Sequence, residues 1–246
     1  MKDPIIQIRD LTAKYEEKTV LSEISADIPA NEITVIIGSS GCGKTTLIKN
    51  IFRLYQPYSG SVKIFGQEIT TMDEPEYEAI LKRTGMLFQN GALLNSVDIF
   101  TNIAIPLEQH TKLPAQLIEK LIKVKLNLVN LAEAIYLSPA ELSGGMRKRA
   151  ALARAIALDP EILICDEPSA GLDPLTSNSL DELIMNLKNI LDMSIIIVTH
   201  ELASIHRVAD NVIFLDDGKL LFSGTLEQAV RSNIPELKIF FSAGKF

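Results

Sequence analysis

Gly38-Ser39-Ser40-Gly41-Cys42-Gly43-Lys44-Thr45 is the stretch that decides how this chain is read. It satisfies the pattern G-x-x-x-x-G-K-[ST] without a mismatch. The residues just before it, Ile33-Thr34-Val35-Ile36-Ile37, form an apolar, β-branched run that reads as a buried strand. Just after it, Leu47, Ile48, Ile51 and Leu54 fall on one helical face. Strand, glycine loop and helix are the setting in which such a loop binds phosphate. The glycines let backbone N–H groups turn inward at a helix N-terminus, where the dipole favours negative charge. Lys44 adds a point cation for β- and γ-phosphates, and the Thr45 hydroxyl is placed to hold Mg²⁺.

Outward from the loop the pattern is that of an α/β protein. Residues 5–8, 24–28 and 61–65 alternate apolar and polar side chains, which predicts a small antiparallel sheet. Three runs are uniformly apolar: Ile162-Leu163-Ile164-Cys165, Ile195-Ile196-Ile197-Val198 and Val212-Ile213-Phe214-Leu215. Such runs suit central parallel strands covered by helices on both faces. Leu180, Leu183, Ile184, Leu187 and Leu191 mark an amphipathic helix. Residues 90–158 read as helical, with Leu117, Leu121, Val124 and Leu128 on one face and Pro106, Pro114 and Pro139 as punctuation. The expectation is one domain over residues 1–246, in which a helical lobe, 90–158, interrupts a catalytic lobe made of 1–89 and 159–246. The apolar tail Leu237-Lys238-Ile239-Phe240-Phe241 has two readings, packing on its own domain or on a partner, and the first is favoured.

Composition excludes some functions. The chain has 246 residues, 47% hydrophobic and 22% charged, enough for a sizeable core. Its net charge of −7 argues against nucleic acid and against direct attraction to an anionic leaflet. Met1-Lys2-Asp3-Pro4 lacks the apolar core of a leader peptide, and no apolar run approaches the roughly 18 residues of a membrane span. A cytosolic protein, held at a membrane only through a protein partner, is the expectation. Cys42 and Cys165 are far apart, form no metal pattern, and suggest a reducing compartment.

Two further segments carry chemistry. The run from Ile162 ends in Asp166 and Glu167; the first could orient Mg²⁺ or its water, the second could polarise an attacking water. Leu142-Ser143-Gly144-Gly145-Met146 precedes a helix expected over residues 147–158. Ser143 is placed to cap that helix, and the glycines suggest a second anion-ready nest. Arg147-Lys148-Arg149 reads as a solvated helix face.

In this order and spacing the segments resemble the nucleotide-binding subunit of ATP-binding cassette transporters, over essentially the whole chain. The resemblance implies a P-loop NTPase (RecA-like) core with a small antiparallel β subdomain and an inserted helical subdomain. It implies ATP and Mg²⁺ as cofactors, and ATP hydrolysis. Gly38, Ser39, Ser40, Gly41, Cys42, Gly43, Lys44, Thr45 and Thr46 match the family's phosphate loop. Tyr15 would stack on adenine. Gln89, with Thr45 and Asp166, would reach the metal, and would also sense the transport partner. Glu167, His200, Gln89 and Lys44 would serve catalysis, with His200 on the γ-phosphate. Ser143, Gly144 and Gly145 match the signature, which caps the nucleotide held by a second copy, and Asp173 would lie at the seam between the copies. ATP would then join two subunits, and hydrolysis would release them. No role falls to His110 or His206.

Two stretches narrow the resemblance. Gly85-Met86-Leu87-Phe88-Gln89-Asn90-Gly91-Ala92-Leu93 and Leu142-Ser143-Gly144-Gly145-Met146-Arg147-Lys148-Arg149 are similar to the ATPases of Mce-associated phospholipid transporters, the Mla type. The signature's usual fifth residue is Gln, and Met146 replaces it. This resemblance implies a homodimer on two inner-membrane permease subunits, on the cytoplasmic face of a bacterial inner membrane. A periplasmic Mce lipid-binding protein and a small cytoplasmic accessory protein would complete the complex. Leu93 and Leu94, after Gly91, would line the groove that receives the permease; the alternative is that both are core residues of the helical lobe. The alternative reading is a soluble, non-transport cassette ATPase that scaffolds iron–sulfur cluster assembly; the Met146–Arg149 run argues against it.

Overall fold

The computed structural model describes residues 4–242; residues 1–3, which enter the leader-peptide reading, lie outside them. In chain order the elements are β1 (Pro4–Tyr15), β2 (Lys18–Pro29), β3 (Ile33–Gly38), α1 (Lys44–Ile51), β4 (Ser59–Ile64), β5 (Gln67–Glu68), α2 (Glu74–Lys82), β6 (Thr84–Leu87), α3 (Ile99–His110) and α4 (Ala115–Leu128). Then follow α5 (Gly144–Ala155), β7 (Ile162–Asp166), α6 (Pro174–Leu191), β8 (Ser194–Val198), α7 (Leu202–Val208), β9 (Asn211–Asp216), β10 (Lys219–Thr225), α8 (Leu226–Val230) and α9 (Pro235–Ser242). The chain divides into two compact units, residues 1–80 with 194–246, and residues 81–193.

In the first unit, all six residues of β3 are buried, as a β-branched run between covered faces requires. β3 runs parallel to β8 on one side, pairing Ile36 with Val198, and to β9 on the other, pairing Ile37 with Phe214. β10 pairs antiparallel with β9. The expected antiparallel sheet is present, in the order β2-β1-β4-β5. Its inner face is a cross-strand ladder of Ile64, Ile6 and Ile28, then Val62, Ile8 and Ala26. Ile8 and Leu11 are both fully buried although three residues apart, an odd spacing that would turn Leu11 outward in a regular strand. A bulge corrects this: the register shifts between them, and Asp10 takes a left-handed φ of 48°. Ser25 Oγ accepts from Asp10 N at 2.8 Å and donates to Asp10 Oδ1 at 3.0 Å, which holds the kink.

α1 buries Leu47, Ile48 and Ile51 but ends at Ile51, so Leu54 does not share their face and is exposed. Arg53 takes φ 45° and turns the chain away; its Nη1 donates to Met72 O at 2.7 Å. The tail forms α9, which buries Leu237 fully and sets Phe240 edge-on to Phe214 at 5.9 Å and Phe241 beside His206 at 5.5 Å. Its apolar face is thus satisfied by its own unit.

In the second unit, β6 and β7 pair in parallel, Leu87 opposite Cys165. α6 buries Leu180, Leu183, Ile184 and Leu187, with Leu191 half-buried at its end. Asp173 caps α6 and Pro174 occupies its first turn, where a missing N–H costs nothing. Pro106 lies inside α3 instead of ending it, whereas Pro114 does precede α4. The expected inner face of α4 is wrong by one residue: Ile118, Ile122, Lys125 and Leu126 are buried, Leu117 and Val124 are exposed, and Leu121 and Leu128 are half-buried. Both stripes have helical spacing, and packing against α3 and α5 selects the first. Among the described residues no helix is long and apolar enough to cross a membrane.

Candidate active site

The phosphate loop leaves the end of β3 under tight backbone constraint. A Cβ on Gly38 would lie 2.1 Å from Leu215 O, so no side chain fits. Gly43, at φ 106°, is the N-cap of α1, and a Cβ there would lie 2.6 Å from Leu21 Cδ2. No side chain caps α1. Its first-turn amides lack intrahelical acceptors by geometry and are available to an anion. Lys44 folds back over the loop, with Nζ 2.9 Å from both Gly38 O and Ser39 O. Ser39 Oγ donates to Asp216 Oδ1 at 2.8 Å. Ser40, Gly41 and Thr45 are exposed and Thr46 is half-buried. The loop therefore presents amides, one cation and a hydroxyl, the donor set a polyphosphate needs.

Two other residues of this unit border the loop. Tyr15 is 65% exposed, its ring edge-on to Tyr55 at 6.3 Å. It rims a cleft whose lining includes Val20, Thr46, Asn50 and Gln56. An aromatic face at a cleft that reaches the first turn of α1 can stack on a base whose phosphates occupy the loop. His200 follows β8 by two residues, and β8 is in parallel register with β3, so His200 leaves the sheet at the same end as the loop.

Cys42 is only 4% exposed, with Sγ 3.9 Å from Lys44 Nζ. Complete burial pushes the Cys165 thiol up to about 12. A thiol reacts as its thiolate and only when reached. Native protein is expected to titrate well under one thiol with an aromatic disulfide reagent in minutes, and both in denaturant; two rapid native equivalents would contradict the burial.

In the second unit, the register of Leu87 with Cys165 places Gln89 and Glu167 two residues past the same sheet edge. Gln89 is exposed; Asp166 and Glu167 are half-buried. Glu167 takes φ 46°, a left-handed conformation that costs a non-glycine residue about 1–3 kcal/mol. Its carbonyl accepts from Ala170 N at 3.2 Å and from Lys148 Nζ at 3.2 Å. The same ammonium donates to Gln89 O. Arg147-Lys148-Arg149 is therefore not a solvated face: Arg147 is exposed, Lys148 is buried, and Arg149 donates to Val129 O and Ser179 Oγ.

The signature also differs from its sequence reading. α5 starts at Gly144, not at residue 147, and Gly144 and Gly145 are its first turn instead of a separate nest. Ser143 caps it, Oγ accepting from Met146 N at 3.3 Å. A Cβ on Gly145 would lie 2.6 Å from Thr176 Cγ2, so this glycine lets α5 approach α6. Gln89, Asn95, Gly144, Arg147, Ala170 and Leu172 line one cleft, which brings the glutamine loop, the signature and the segment before Asp173 together. Arg154 holds the next turn, donating to Gly91 O at 2.8 Å and Ala92 O at 2.7 Å. Leu94 is exposed and Leu93 half-buried, so neither is core. Sequence reasoning missed Lys148 and Arg154; helical spacing from the buried Ala151 and Leu152 was the available signal.

Asp173 is exposed and accepts from Leu175 N at 3.0 Å, Thr176 N at 3.1 Å and Thr176 Oγ1 at 2.5 Å. The Thr176 hydroxyl first, then its amide, hold the carboxyl below the usual carboxylate range. A depressed folded-state value means the cap's contribution is full above the unfolded value, about 4, and is lost as pH falls through the folded one. Asp173→Asn should keep the cap and flatten the dependence of the urea midpoint on pH below about 4; an unchanged slope would assign that dependence elsewhere.

Among the described residues no three His, Cys, Asp or Glu side chains cluster as a metal site. Mg²⁺ is held by one or two protein groups plus substrate phosphates in nucleotide enzymes. The exposed Thr45 hydroxyl of the first unit and, taken by itself, the strand-end Asp166 of the second are each hard oxygen donors of the kind Mg²⁺ takes.

The chain belongs to the ABC transporter family, whose model matches residues 21–170. It has the α/β fold of an ABC ATPase cassette. It is similar to the intermembrane phospholipid transport system ATP-binding protein MlaF of Haemophilus influenzae, 39% identical over 94% of this chain and 88% of that one. It is also similar to the probable ribonucleotide transport ATP-binding protein mkl of Mycobacterium leprae, 38% identical over 96% of this chain and 68% of that one. A solved dimeric ATP-binding cassette in a post-hydrolysis state, bound to ADP and Pi, superposes with a TM-score of 0.81 at 26% identity, covering 90% of this chain and 98% of that one. This chain is thus an ATPase subunit of the ABC class, and nothing in these similarities supports the soluble scaffold reading.

Proposed function

We propose that the chain powers phospholipid transport between bacterial membranes. The observation that supports this most is 39% identity across nearly the whole chain with a protein named for intermembrane phospholipid transport. On this reading the subunit sits on the cytoplasmic face of the inner membrane through two permease subunits. A periplasmic Mce lipid-binding protein and a small cytoplasmic accessory protein complete the assembly. Residues 90–158 act as the helical lobe and residues 1–89 with 159–246 as the catalytic lobe. Exposed Leu94, beside half-buried Leu93, offers the permease an apolar edge.

The site residues take these roles. Tyr15 stacks on adenine. Gly38, Ser39, Ser40, Gly41, Cys42, Gly43, Lys44, Thr45 and Thr46 wrap the phosphates, with amides at the start of α1 and the Lys44 ammonium as main donors. Thr45, Gln89 and Asp166 would hold Mg²⁺, which when bound would supply positive charge to the phosphates. Glu167 takes the proton of the attacking water, and His200 steadies it against the γ-phosphate. Ser143, the cap of α5, with Gly144 and Gly145 in its first turn, cover the nucleotide of the second copy, and Asp173 meets that copy at the seam.

The test is ATPase activity of the assembled transporter with candidate substrates. Phospholipid vesicles are expected to stimulate turnover and ribonucleoside monophosphates to leave it unchanged. Stimulation by the ribonucleotides alone would move the assignment to the substrate class in the name of the mycobacterial relative.

A further inference from the structure

One side chain ties the backbones of Gln89 and Glu167 together. Lys148 is 6% exposed, and its Nζ donates to the carbonyls of both residues. A buried ammonium needs acceptors, and here its acceptors are main-chain oxygens. An anchored carbonyl fixes its peptide plane. At Glu167 that plane adjoins a backbone already held at φ 46°. The neighbouring cations do not duplicate the contact: Arg147 is exposed, and Arg149 turns to Val129 and Ser179. Burial lowers the Lys148 pKa, while Cys165, Glu167 and Asp166 oppose that shift.

We propose that Lys148 is a positioning residue for ATP hydrolysis. Its ammonium keeps the Gln89 and Glu167 peptides in a fixed relation, so that the amide of one and the carboxylate of the other address the same water. Lys148 itself touches neither nucleotide nor water. The proposal rests on the reading of Glu167 as the base.

The experiment compares Lys148→Met, Lys148→Arg and Glu167→Gln with wild type, measuring kcat, KM and ATP affinity. Lys148→Met is expected to lower kcat about ten- to hundredfold, the scale of a misplaced catalytic group, with ATP affinity within about twofold. Lys148→Arg, which keeps the donors, should restore most of kcat. Unchanged kcat in Lys148→Met overturns the proposal, and so does a joint loss of kcat and affinity that Arg does not rescue. Should the Met variant fail to fold, Lys148→Gln is judged by the same criteria. Sustained turnover in Glu167→Gln would instead overturn the reading beneath it.

Discussion

Glu167→Gln should bind ATP, lose turnover by about 10²- to 10⁴-fold, and accumulate as a closed dimer. The factor is the usual worth of a positioned general base. The substitution is nearly isosteric, so the left-handed backbone at Glu167 and its carbonyl contacts to Ala170 and Lys148 stay in place. What changes is proton affinity. Without a base the triphosphate persists, and the ligand that favours the closed state is never removed. Phosphate release checks the first part and sedimentation with Mg-ATP checks the second. Turnover near wild type would remove Glu167 from its role; a dead enzyme that stays monomeric with ATP would sever hydrolysis from association.

Mixing two inactive variants should restore activity. Lys44→Ala removes the cation that overlies the phosphate loop. Ser143→Arg places a bulky charge at the N-cap of α5, at an exposed residue. If each site draws its loop from one copy and its signature from the other, a mixed dimer carries both lesions in one site and none in the other. Random pairing of equal amounts then yields about a quarter of wild-type sites intact. Activity near zero in a mixture shown to contain mixed dimers would place both elements in the same copy's site.

The parts legible in the sequence were those where one residue type is physically forced. Gly38 and Gly43 are read at once because Leu215 O and Leu21 leave no room for a side chain. β3, β7, β8 and β9 are legible because burial on both faces demands unbroken apolar runs. α4 was misread because it carries two apolar stripes one residue apart, and periodicity alone does not say which one meets the protein. Lys148 was misread for a related reason. A charge run is usually solvated, and only the three-dimensional approach of the Gln89 and Glu167 carbonyls supplies the acceptors that make burial tolerable. The start of α5 was placed too late because glycine is a poor helix former, yet Ser143 caps the turn and Thr176 requires a residue without a Cβ.

The composite site stands or falls with the place of Ser143, Gly144 and Gly145 over the nucleotide of the other copy. A structure of Glu167→Gln with Mg-ATP tests it most directly. Two copies are expected, with each γ-phosphate lying about 3 Å from Lys44 of one and from Ser143 of the other. Triphosphate bound in the loop with both Ser143 residues turned to solvent, or with Ser143 of the same copy closing over it, would contradict it.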